Sequence, residues 1–188
     1  VYTGKGCSMN CFYCAGCNSA QIETFNRSYT FVRGVSEVKR DIEAIMDYTS
    51  TLMFVDSFAF DTYSYHKEIW NSIDLSAHFC NFYFYKLPDS NMLELITSSY
   101  RYCYINIDLC TFSQRLRELL KKRNMLKPIP SDAEIIEFFE LCKKYENIEV
   151  RISLISGLPF TQEEDTIASD KMLAHITAVS YTHLTLPT

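Results

Sequence analysis

The chain has 188 residues, with 18 Lys plus Arg against 23 Asp plus Glu and a net charge of −5. That length holds one good core and at most a piece of a second domain, and the charge leaves no basic footprint for duplex nucleic acid. No stretch is long and apolar enough to span a membrane, and no secretory leader is visible.

Strand-like and helix-like segments alternate along the chain. Residues Val1–Gly4 read as the end of a first strand, so further sequence is expected upstream of Val1. Ser36–Tyr48 places Val38, Ile42, Ile45 and Met46 on one helical face, with Ser36 as N-cap and Glu37 at the positive helix start. Thr51–Phe58 is a short apolar strand, and Tyr63–Ile73 a helix. His78–Tyr85 is a strand rich in aromatics. Pro88-Asp89-Ser90 opens a helix carrying Met92, Leu93, Leu95 and Ile96.

Tyr102–Leu109 is the next strand. Thr111–Lys122 follows as a helix burying Phe112, Leu116, Leu119 and Leu120; its basic end, Lys121-Lys122-Arg123, reads as a solvated helix terminus. Ser131–Asn147 is the clearest helix, with a capping box from Ser131 to Glu134. Asn147–Ser156 is a strand ending at Gly157-Leu158-Pro159, and Thr161–Asp165 opens a last helix with a second capping box, Thr161 to Glu164.

The order βαβαβαβαβα predicts an α/β fold with parallel strands. A doubly wound sheet and a whole or partial barrel both fit, and in either the chemistry collects at the C-terminal ends of the strands. The tail, Ala178–Thr188, has neither a helical face nor charge. It resembles translated sequencing-adapter read-through, so residues 1–177 are taken as the domain and 178–188 as a non-native tail.

Eight cysteines are present. A chain so well supplied with core residues needs no disulfide scaffold. Cys80, Cys103, Cys110 and Cys142 fall within strand or helix patterns and read as small core residues, which points to a reducing, cytoplasmic compartment. The other four crowd into "KGCSMNCFYCAGC", just after the first strand. Cys7, Cys11, Cys14 and Cys17 are spaced C-x3-C-x2-C-x2-C. Zinc usually takes two separated pairs. A bacterial ferredoxin has these gaps in the other order, followed by Pro. Three thiolates could instead hold three corners of a [4Fe–4S] cube and leave one iron free. His66, His78 and His175 have no metal-ligand spacing, and no phosphate-cradling glycine motif is present.

C-x3-C-x2-C with an aromatic before the last cysteine, here Tyr13, resembles the cluster loop of the radical S-adenosylmethionine (radical SAM) superfamily. "TGKGCSMNCFYCAGC", followed by Ala20-Gln21 and Arg27, is most similar to members with an upstream cobalamin-binding domain. "ISLISGLPFTQEED" is similar to their fifth-strand motif, with Phe160 in place of the usual Gly. The resemblance implies a partial (β/α) barrel of the TIM-barrel-like type, truncated at both ends. It implies an enzyme that cleaves SAM reductively to a 5′-deoxyadenosyl radical for hydrogen abstraction, with cobalamin-assisted methyl transfer as one outcome on an unknown small-molecule or peptide substrate. A flavodoxin- or ferredoxin-like donor would supply electrons.

By the same resemblance, Cys7, Cys11 and Cys14 bind the cluster. Tyr13 lies near the SAM adenine, Asp56 and Ser57 near its amino group, and Asp108 near its ribose or amino-acid part. Ile155 and Gly157 offer backbone to the adenine. No catalytic side chain is implied beyond the cluster and SAM. Cys17 falls where the family more often has a small residue and is expected to be a bystander. The competing reading is a non-catalytic iron–sulfur or zinc module using all four cysteines.

Overall fold

The computed structural model describes residues 1–55, 62–123 and 129–179. The chain begins with β1 (Gly4–Lys5), α1 (Asn18–Phe25) and β2 (Phe31–Val32), followed by α2 (Val35–Ile45), β3 (Thr51–Val55), α3 (Thr62–Trp70) and β4 (Phe79–Phe84). It continues with α4 (Ser90–Ser99), β5 (Tyr102–Cys110), α5 (Gln114–Lys122), α6 (Asp132–Cys142), β6 (Ile148–Leu154) and α7 (Glu163–Val179). Strands β3-β4-β5-β6 form one parallel sheet in unbroken sequence order. The α/β class and parallel strands expected from the sequence are therefore present.

The opening strand differs from expectation. Gly4–Lys5 pairs antiparallel with Phe31–Val32, outside the parallel sheet. The preceding residues still lie against that sheet, because the Val1 nitrogen donates to the Met53 carbonyl at 2.6 Å. Helix α1 and strand β2 had no sequence prediction, as both are short and lack an apolar period.

The sheet buries one face and leaves the other open. Successive side chains of a strand point to opposite faces. Leu52 and Phe54 of β3, Cys80, Phe82 and Phe84 of β4, Cys103, Ile105 and Ile107 of β5, and Val150 of β6 join one core. Against them pack Val38 and Ile42 of α2, Leu93 and Ile96 of α4, and Ile135 and Phe139 of α6. Phe54, Phe82 and Phe84 stack at 5.0 and 4.8 Å between ring centroids. Trp70 meets both Phe82 and Tyr100 edge-on, and buried His66 fills the same aromatic nest.

The opposite face is polar and aromatic. Asn106 donates to the Asn81 side chain at 2.6 Å and to the Phe82 carbonyl at 2.9 Å. Arg151 pairs with Glu149 and lies 4.5 Å over the Tyr104 ring. Among the described residues, no helix is long and apolar enough to cross a membrane.

Helix starts follow local chemistry. Asp89 caps α4 by accepting from Met92 N–H at 2.9 Å, and Ser113 caps α5 through Leu116 N–H. The capping box at Ser131 and Glu134 forms in both directions. Two expected caps shift. Helix α2 begins at Val35, so Gly34 rather than Ser36 is the N-cap, and its N–H donates to Glu37 at 3.1 Å. Helix α7 begins at Glu163, so the returning carboxylate is Asp165, which accepts from Gln162 N–H at 2.8 Å; Thr161 instead bonds the Leu158 carbonyl. On α5, Arg117 is buried against Asp132 where Leu119 was expected, and Leu119 is half-buried.

Asp165 ties the last helix to α5. It is 2% exposed and accepts from Ser113 Oγ, from both Nε and an Nη of Arg115, and from Gln162 N–H. The Arg115 guanidinium, foremost, pulls its carboxyl from the ordinary 3.8 to about 2. A depressed carboxylate stabilises the fold above its unfolded pKa and loses that contribution as pH falls through the folded value. Asp165→Asn should therefore lower the unfolding free energy at neutral pH by about 2 kcal/mol in urea titrations. The gap to the parent should close as pH falls from about 4 to about 2; a gap of constant size down to that pH would assign the loss to packing instead.

Candidate functional site

The cysteine loop spans the turn between β1 and α1, and its geometry starts at Gly6. This residue has φ of 94°, and a Cβ on it would sit 3.0 Å from the Tyr29 carbonyl oxygen and 3.2 Å from Thr30 Cα. Only glycine fits that conformation and that approach. Two successive tight turns then wind the loop: Cys14 N–H donates to the Cys11 carbonyl at 3.0 Å, and Cys17 N–H to the Cys14 carbonyl at 3.1 Å. Asn18 N–H closes it on the Met9 carbonyl at 2.8 Å, and Ser19 N–H on the Asn10 side chain.

The loop forms one wall of a cleft of about 1000 Å³. Cys7, Cys11 and Cys14 line it, with Tyr13 beside them. Tyr85, just past β4, and Asp108, near the end of β5, line the same cleft. The cleft thus opens at the carboxyl ends of the parallel strands, where the sequence placed the chemistry. Cys17 is not part of its lining; its thiol contacts Ser19 Oγ at 3.2 Å instead.

Electrostatics separates the thiols. Burial pushes the Cys7 thiol up; the Met9 N–H, 3.4 Å from its sulfur, pulls the other way. Cys11, Cys14 and Cys17 also raise it, as neighbouring thiolates repel. The hydrogen bond from Ser19 chiefly lowers Cys17. Among the described residues, no three His, Cys, Asp or Glu side chains form a group that could hold a single metal ion as they stand.

Tyr13 reaches away from the loop to the sheet. Its hydroxyl lies 2.9 Å from Cys110 Sγ, and its ring packs on a small second core of Cys110, Leu116, Leu120 and Leu158. Burial and the Cys110 contact both push its phenol well up. Ile155 packs on this same second core, and its N–H donates to the Cys110 carbonyl at 2.8 Å. Gly157 takes φ of 74° with open space where a Cβ would be, so conformation alone selects glycine there. Neither Ile155 nor Gly157 is among the described cleft-lining residues. Asp56 and Ser57 lie outside the described residues.

Four contributors carried no site assignment from sequence. Gln21 donates to the Gly16 carbonyl at 3.1 Å and accepts from Arg27, and both Gln21 and Arg27 line the cleft. The "AQ" and Arg27 had been singled out, but only as marks of resemblance. Tyr85 lies at a strand end, a position that could have flagged it. Cys110 sits in an apolar run, and nothing in that pattern separates it from a core cysteine.

No protein-family model matches the chain, and no curated protein matches it. Solved structures do. The chain is similar to the radical S-adenosylmethionine methyltransferase TsrM from Kitasatospora setae with tryptophan substrate and a SAM analogue bound. The TM-score is 0.74 at 16% identity, over 99% of this chain and 35% of that one. A second TsrM structure, with cobalamin and a [4Fe-4S] cluster bound, gives 0.72 at 14% over 94% of this chain and 34% of that one. The likeness is one of fold, and the chain spans about a third of the length of these neighbours.

Thiol reactivity should follow the arrangement. In metal-free, anaerobic protein at pH 7.5, timed alkylation read by peptide mass spectrometry should label Cys17 before Cys7 and Cys11. Cys80, Cys103, Cys110 and Cys142, all buried, should label only on unfolding. Labelling of Cys7 ahead of Cys17 would contradict the charge pattern of the loop.

Proposed function

We propose that this chain is the cluster- and SAM-binding portion of a radical SAM enzyme, a partial (β/α) barrel in which residues 1–177 form the core. The observation that carries the reading is the placement of Cys7, Cys11 and Cys14 along one wall of a large cleft at the strand ends, with Cys17 outside it. The fold likeness to a radical SAM methyltransferase supports it, as does the motif resemblance.

The donor set fits the group. Thiolates are the usual ligands of iron–sulfur clusters. Thiolates on one zinc ion at about 2.3 Å crowd around a single centre. A cube of iron and sulfide spreads its corners, so its three ligands need to line a wall rather than meet at a point. When bound, a [4Fe–4S] cluster with one iron open to SAM supplies one-electron cleavage of a SAM carbon–sulfur bond to the 5′-deoxyadenosyl radical.

The chain's own residues bind and orient. Cys7, Cys11 and Cys14 fix the cluster. Met9 N–H stabilises the Cys7 thiolate. Asp108 offers a carboxylate to the hydroxyl or ammonium groups of a ligand in the cleft. Tyr13, rooted in the second core, gives a ring surface beside the cysteines for the adenine. Asp56, Ser57, Ile155 and Gly157 remain assigned to SAM on the resemblance alone. The neighbour's cobalamin and methyl transfer make cobalamin-assisted methylation the favoured outcome for the whole protein, with a flavodoxin- or ferredoxin-like reductant.

Anaerobic reconstitution should load about four irons per chain. Cys17→Ala should keep that iron and the spectroscopic response to SAM, while Ala at Cys7, Cys11 or Cys14 should abolish both. With dithionite and SAM, the loaded full-length protein should release 5′-deoxyadenosine. Loss of metal in Cys17→Ala would favour the four-cysteine module, and absence of 5′-deoxyadenosine from fully loaded protein would remove the enzymatic reading.

A further inference from the structure

We propose that Cys110 is a positioning residue: its thiol joins Tyr13 of the cysteine loop to Asp108 of the cleft and so fixes where Cys11 and Cys14 stand. Three independent features support this. The Tyr13 hydroxyl lies 2.9 Å from Cys110 Sγ, and Cys110 Sγ lies 3.4 Å from Asp108 Oδ1. With the thiol donating to the carboxylate, the phenol donates to sulfur, so the chain of contacts has one direction: Tyr13 O–H to Cys110 S–H to Asp108. Second, Cys110 is fully buried, inside the small core that Tyr13 and Ile155 pack against.

Third, Cys110 holds φ of 62° at a register shift in the β5–β6 pairing. A side chain is rarely found in that conformation unless its surroundings impose it. Leu109 is buried in the main core among the helices, and Cys110, the next residue, is buried on the other side in the second core, where Tyr13 of the cysteine loop packs. Tyr13 sits between Cys11 and Cys14, so anchoring its ring anchors both flanking sulfurs on the cleft wall. Asp108, on the same relay, lines the same cleft.

The consequence for cofactor binding rests on the reading above, but the test does not. Hydrogen–deuterium exchange is measured by mass spectrometry on metal-free, anaerobic protein, following the peptide that spans residues 9–18. Cys110→Ala should speed exchange there by about fivefold, the size expected for one lost hydrogen bond, with β4 and α6 unchanged. Cys110→Ser, which keeps a donor and acceptor, should stay close to the parent. Tyr13→Phe should match Cys110→Ala, and the double variant should be no faster than either. Unchanged exchange in Cys110→Ala, a uniform rise across the fold, a Cys110→Ser as fast as the alanine, or additive effects in the double variant would each overturn the proposal. A parent protein that fails to load a cluster would sink the functional reading and leave this one standing.

Discussion

Four parallel strands laid side by side in sequence order constrain everything else in this molecule. Each crossover then steps the same way, and right-handed connections place the intervening helices on one face. The observed core obeys that: α3, α4 and α6, from the three crossovers, pack against the face that carries Phe54, Phe82 and Ile105, and α2, which precedes β3, joins them there. The other face keeps Asn81, Asn106, Tyr104 and Arg151, with Met53 and Tyr83 47% and 41% exposed. Parallel sheets are normally covered on both sides. Among the described residues, this sheet packs helices on one face and presents a polar, aromatic surface on the other. Its carboxyl ends open into the cleft walled by the cysteine loop.

How far this was legible can be judged residue by residue. Strands β4 and β5 were legible as runs of strand-forming residues, β4 for its aromatics, and in the fold burial on one face leaves a period of two in Cys80, Phe82, Phe84 and in Cys103, Ile105, Ile107. The Ser131–Glu134 box is a local hydrogen-bond pattern and was read without any tertiary knowledge. The caps at Gly34 and Asp165 were displaced by two residues and one, because what decided them was where the chain arrived from, and for Asp165 a partner far along the chain, Arg115. Arg117 shows the same limit: a buried arginine is invisible until Asp132 is brought beside it. That Cys7, Cys11 and Cys14 stand together was legible because residues in one short run must share one loop. Gln21 and Arg27 acquired roles only when α1 folded back over Gly16.

Among the described residues with positive φ, Gly6 precedes the first cysteine, Asn26 caps the end of α1, Cys110 ends β5, and Gly157 and Phe160 follow β6. For Cys110 and Phe160 this costs on the order of 1–2 kcal/mol each. Local contacts offset it. Phe160 lies 4.3 Å under the Arg123 guanidinium, and its carbonyl accepts from Arg115 at 2.9 Å. Cys110 is held by Ile155 N–H and by the second core. That core is small, but it is where the cysteine loop, the end of β5, the turn after β6 and α5 meet. A fold that only needed stability would gain little from strained residues tied together at one edge. Tyr13 packed against Cys110 ties the cysteine loop to the end of β5, and through the same thiol to Asp108.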